Sequence, residues 1–121
     1  MAITRFEDIE AWQVGRTLTK RVYECTAVHD FARDYGLKDQ IQRAAGSIMH
    51  NIAEGFDGGS HPEFARFLTY AVRSATEVQS QLYVALDLRY IDQSKFDELY
   101  ELAAKAKAKT GAFIKYLRST K

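Results

Sequence analysis

The sequence predicts an all-α protein, an up-down-up-down antiparallel four-helix bundle, on three observations. Apolar residues recur at intervals of three and four along nearly the whole chain, which is the helical period. The single proline falls in a helix-start motif, Ser60-His61-Pro62-Glu63, and the glycines cluster at breaks. No alternating strand pattern, internal repeat or low-complexity linker competes with this reading. With 121 residues, 46% of them hydrophobic and 27% charged, the chain fits one domain, 1–121, large enough to bury a core without staples.

Helix one is expected over residues 6–28, with a stripe of Ala11, Gly15, Leu18, Val22 and Cys25 and with Ile9, Trp12 and Tyr23 alongside. Residues 29–36 make a short connection in which Gly36 supplies the turn conformation. Helix two covers 37–56 and stops at the Gly55, Gly58 and Gly59 cluster. Helix three, 61–90, has the clearest start: Ser60 caps, Glu63 returns the bond, and Pro62 sits where its missing donor costs nothing. Its core stripe is Phe64, Phe67/Leu68, Ala71, Ala75, Val78, Leu82 and Ala85. Helix four, 93–118, follows Asp92 as N-cap, with Ile91 and Phe96 placed for a hydrophobic staple. Phe96, Leu99, Ala103, Ala106, Thr110, Phe113 and Leu117 then keep the three-four spacing that suits near-antiparallel packing. Such helices make a bundle about 30–40 Å long.

Charge and composition narrow the function classes. Seventeen basic against sixteen acidic residues give a net charge of +1, unlike a dedicated nucleic-acid binder, although a local basic patch is still open. Cys25 is the one cysteine, so there is no disulfide framework and no cysteine-based zinc site. The first residues carry acids and no long apolar run, and no stretch approaches a membrane span; a cytoplasmic protein is expected. No glutamate is followed three residues later by histidine, as a di-iron bundle requires, and His29, His50 and His61 are scattered. Gly-Phe-Asp-Gly-Gly-Ser lacks the lysine and preceding strand of a phosphate loop. Cys25 falls on a core stripe, and Ser47 and Ser74 have no histidine within reach as base. The reading is no enzyme, no catalytic residues, no metal and no cofactor.

Three surfaces stand out. On helix two, Gln40, Arg43, Ser47, Asn51 and Glu54 run beside the apolar stripe Leu37, Ile41, Ala44/Ala45, Ile48 and Ile52. If helices two and three are antiparallel about Gly58-Gly59, Arg43 comes near Glu77, and Asn51 or Glu54 near Arg66. A register-fixing network of buried ion pairs is expected, with ligand binding as the alternative. On helix three, Val72, Thr76, Tyr83, Leu86 and Tyr90 form a second apolar line beside the core, a face for self-association or a set of aromatics lying on the surface. On helix four, acids fill the first turns, and Lys105, Lys107, Lys109, Lys115, Arg118 and Lys121 follow without an acid among them. That order matches the helix dipole, and it is also a candidate contact for RNA or DNA backbone.

The sequence resembles the four-helix bundle proteins encoded within intervening sequences of bacterial 23S rRNA genes. Phe-Glu-Asp-Ile-Glu-Ala-Trp-Gln from Phe6, Val22 to Thr26, Tyr35-Gly36-Leu37, Gln40 to Ala45 and Asn51-Ile52-Ala53-Glu54-Gly55 carry the resemblance, with Glu63-Phe64, Phe67-Leu68, Ser74, Glu77 and Gln81 further on. Three positions depart from the family pattern: Arg73 stands where glycine is frequent, Met49 where proline is, and Gly58 where a basic residue is. The resemblance implies the bundle fold, a ring-like homopentamer and a cytoplasmic location. Similar bundles that accompany diversity-generating retroelements bind nucleic acid and a reverse transcriptase, which by analogy suggests an RNA, DNA or protein partner. Many members lie outside any rRNA gene, so the resemblance implies no ribosomal role.

The expected function is therefore a non-enzymatic, homo-oligomeric interaction module with no membrane association. A pure scaffold without nucleic-acid binding, or an enzyme with an unrecognised site, are the rival classes.

Overall fold

In a computed structural model, which describes residues 3–119, Ile9 divides the first predicted helix in two. Phe6–Asp8 is a single 3-10 turn, and α1 runs Glu10–Thr26. Ile9 between them is extended (ψ 120°) because its side chain, 1% exposed, turns into the core instead of following the helix. The predicted start at residue 6 is corrected accordingly. Phe6 then meets Trp12 edge-on at 5.2 Å, closing the bundle end.

A second correction concerns the connection to α2. His29–Arg33 forms a 3-10 turn, and α2, Tyr35–Asp57, already contains Gly36. The left-handed residue is His29 (φ 51°), not Gly36. Asp34 caps α2 by accepting from the Leu37 N–H at 3.1 Å, which lets the helix begin ahead of the apolar stripe. Phe31, fully buried, plugs the gap beneath this turn and stacks on Tyr90 at 5.2 Å.

Helix α3, His61–Asp87, opens as the sequence indicated, with Ser60 Oγ accepting from the Glu63 N–H at 3.2 Å. The Glu63 carboxylate does not complete the capping box; it turns to Arg66. At the other end the helix stops three residues short of the expected 90. Tyr90 N–H reaches Ala85 carbonyl (2.9 Å), Arg89 N–H reaches Leu86 carbonyl (3.0 Å), and Arg89 takes φ 61°. This is the Schellman arrangement with arginine in the usual glycine position. Helix α4, Gln93–Ser119, follows the Asp92 cap, whose carboxylate accepts from the Lys95 N–H at 2.8 Å.

Among the described residues there are four α-helices and no strand, and each helix packs on two neighbours with α4 closing against α1. The contacts run antiparallel throughout. Gly15 sits against Ile48 and Met49, Glu10 pairs with Lys109, and Phe64 and Tyr83 meet Phe113 and Phe96 respectively. The interior is aliphatic: Leu18, Val22, Ile41, Ile48, Ile52, Leu68, Val78, Leu82 and Leu99 are fully buried. No helix is long and apolar enough to cross a membrane among the described residues.

Candidate nucleic-acid interface

The polar stripe of α2 does not form the expected ion pairs. Arg43 donates from Nε to Asp39 Oδ2 at 2.9 Å on its own helix, and its side chain is 80% exposed. Glu77 accepts from Gln81 Nε2 at 3.3 Å, and Arg66 pairs with Glu63. The Arg43–Glu77 pairing is thus overturned, and the reason is angular. At about 100° per residue, Arg43 lies roughly 200° around the helix from Ile41, on the side opposite the core. Gln40 and Glu54 are exposed as well. What joins α2 to α3 is smaller: Ser74 and Ser47 share a 3.0 Å hydroxyl bond, and Asn51 Nδ2 donates to Ser47 Oγ at 2.8 Å.

The basic half of α4 is not one surface either. Lys109 is drawn to Glu10 of α1 at 3.0 Å, and Lys105 lines a depression with Arg21, Glu98 and Glu101 on that same side. Arg118 lies on the opposite edge, towards α3. Lys107 shares that edge, eleven residues or about three turns away. Lys115 is exposed, and Lys121 lies outside the described residues.

Around Arg118, one of the candidate backbone contacts, the structure builds a site that joins it to Arg66, Tyr70 and Arg73 of α3. A groove of 970 Å³ runs between the first turns of α3 and the last turns of α4, lined by His61, Pro62, Arg66, Tyr70, Arg73 and Arg118 together with Ala65 and Leu117. Its volume lies within the range of ligand sites. No carboxylate lines it among the described residues. Arg66 is fixed in place: Nε donates to Glu63 Oε1 at 3.2 Å, and Nη1 donates to Tyr70 Oη at 2.9 Å. The hydrogen bond to Arg66 holds the Glu63 carboxyl below its usual range, and the bonds to Glu63 and Tyr70 hold the guanidinium above its own. Arg73 and Arg118 enter no ion pair among the described residues. The signal was present in the chain, since Arg66, Tyr70 and Arg73 repeat at the i, i+4, i+7 spacing of one helix face.

The apolar line on α3 is divided by the fold. Val72, Leu86 and Tyr90 are half-buried against their own core, and Tyr90 Oη donates to Asp34 Oδ2 at 2.9 Å. Thr76 is exposed, as is Tyr83, whose ring meets Phe96 edge-on at 4.9 Å and so presents only its outer side. Val84 of the same helix and Leu88, its C-cap, are also exposed and extend the apolar surface beyond the expected line.

Among the described residues, no group of three or more His, Cys, Asp and Glu side chains comes together that could hold a metal ion. Fold and groove define a small antiparallel four-helix bundle whose most distinctive surface is a basic cleft. The sequence model of the 23S rRNA-intervening sequence protein family matches residues 7–112, and the chain belongs to that family. A crystal structure of a protein of unknown function from the S23 ribosomal protein family of Bacteroides thetaiotaomicron has the same fold. It superposes with a TM-score of 0.80 at 19% identity, over 87% of this chain and 95% of that one. No curated protein matches the chain.

Proposed function

We propose that the protein is a non-enzymatic, self-associating bundle of the cytoplasm that holds nucleic-acid backbone in the α3/α4 groove. The observation that carries this reading is the pair of arginines, Arg73 and Arg118, facing one cleft with no carboxylate in its lining among the described residues. Phosphates neutralised by such side chains release counterions, so a chain of net charge +1 can still bind a polyanion locally. Self-association multiplies the site, and several weak contacts on one rigid body bind a long strand by avidity. The exposed Tyr83, Val84 and Leu88 at the end of α3 supply apolar surface for that assembly, and the family resemblance implies a ring of five. The free, buried Cys25 fits a reducing compartment.

Filter binding at about 50 mM salt tests the reading. Wild type retains RNA or DNA, and the retention falls steeply with added salt. The double reversal Arg73→Glu/Arg118→Glu abolishes it, whereas Lys105→Glu/Lys109→Glu, on the α1 side, leaves most of it. If wild type retains neither polymer, the pure scaffold takes the place of this function.

A further inference from the structure

We infer that the α3/α4 groove takes an unpaired nucleic-acid strand, stacking a base on the Tyr70–Arg66 ledge while Arg73 and Arg118 hold phosphate. This deepens the proposed function and rests on it. The argument starts from how the cations are used. Arg66 is spent: both Nε and Nη2 face Glu63, and Nη1 bonds Tyr70 Oη. Its charge is matched, and its hydrogen bonds to Glu63 and Tyr70 orient its plane. The guanidinium carbon stands 5.2 Å from the Phe67 ring centre and 5.6 Å from that of Tyr70. A hydrogen-bonded guanidinium beside an aromatic ring is a surface on which unstacked bases settle.

The rest of the lining agrees. A duplex presents phosphates and grooves, and it would have no use for an apolar cleft. Here buried Ala65 and Leu117, with Pro62 beside them, give the groove an apolar lining next to two arginines that enter no ion pair among the described residues. An apolar lining next to unmatched cations suits a ligand with a flat uncharged part and a charged part at regular spacing. A single strand has both, and base–aromatic stacking tolerates any sequence because every base has a π-face.

Fluorescence anisotropy of the full-length protein with a labelled homopolymeric single strand, and with its duplex, tests this. The single strand is expected to bind at least about tenfold more tightly than the duplex. Tyr70→Ala should weaken single-strand binding by about fivefold to a hundredfold, the span of one stacked base, and Tyr70→Phe should restore most of it. Circular dichroism of Tyr70→Ala checks that helicity is intact. If strand and duplex bind alike and Tyr70→Ala changes nothing while Arg73→Glu/Arg118→Glu abolishes both, the stacking ledge is refuted and the backbone-binding function stands. If a free nucleoside monophosphate competes as well as the strand does at equal nucleotide concentration, the ligand is a nucleotide and not a strand. Failure of wild type to bind any of the three removes both readings.

Discussion

Ser74 on α3 donates its hydroxyl to Ser47 on α2 at 3.0 Å, and Asn51 donates to the same oxygen at 2.8 Å. Register between these helices is thus held by neutral groups in a half-buried seam. Ser74→Ala should cost about 0.5–1.5 kcal/mol in urea unfolding, the net worth of one such bond. Arg43→Ala should cost no more than about 0.5 kcal/mol, since its pair with Asp39 is exposed. A loss of about 3–5 kcal/mol at Arg43 would instead restore a buried interhelical ion pair.

One substitution should act with opposite signs at two glycines. A Cβ on Gly55 would stand 2.6 Å from Phe67 Cβ and 2.9 Å from Phe64 Cδ1, so α2 and α3 must part to admit it. Gly55→Ala should destabilise by about 1–3 kcal/mol, as overpacking does. Gly111, inside α4, has nothing within 4 Å of the same position. There Gly→Ala should stabilise by about 0.5–1 kcal/mol through helix propensity alone. Thermal melts of the two variants check both signs.

Arg89 holds the left-handed position that ends α3, at φ 61°. A side chain pays about 1–2 kcal/mol for that conformation, and glycine does not. Arg89→Gly should therefore raise stability, by less than the full amount because glycine also frees the unfolded chain. A lower melting temperature would mean that the Arg89 side chain contributes more than its backbone costs.

What could be read from the chain was what is local. The caps at Ser60 and Asp92 involve neighbours three residues away, so sequence alone located two helix starts. Ile9 and Gly36 were misjudged because tertiary burial of Ile9 and the Asp34 cap override local preference. Arg43 differs for another reason: it shares a face with Ser47, about 40° away, and that modest offset from the α2/α3 seam is enough to leave it in solvent while Ser47 is half-buried. The groove could not be seen whole, since Arg118 meets Arg66 and Arg73 only once the α3/α4 register is set.

Burial pushes the Cys25 thiol up from an ordinary 9.0 to about 11, with Lys95 opposing and Glu98 adding to the effect. The sign follows from linkage. Below pH 9 both folded and unfolded chains keep the proton, so this group costs nothing. Between 9.0 and about 11 only the unfolded chain ionises, and stability falls as pH rises through that window. Unfolding free energies of wild type and Cys25→Ala should converge over this range, because alanine cannot titrate. A constant gap between the two would mean the thiol is not shielded. At neutral pH, alkylation of the native protein by iodoacetamide should lag far behind that of the unfolded chain.

Self-association gives the last test, and the fold sharpens where to apply it. Leu86 and Tyr90 already serve their own core, so a charge at either would confuse unfolding with dissociation. Tyr83 and Leu88 are 51% and 52% exposed, which makes them the cleaner probes. Closed symmetry is the usual way to cover one repeated apolar patch without open-ended growth. Sedimentation of wild type at micromolar concentration should give a discrete oligomer, and Leu88→Lys should shift it towards smaller species with helicity unchanged. Tyr83→Lys should do the same, with some loss of stability because its ring also packs on Phe96 and Tyr100. A wild type that sediments as one chain removes the assembly, and with it the avidity that multiplies the groove. Oligomers unaffected by either lysine would move the interface off this end of α3.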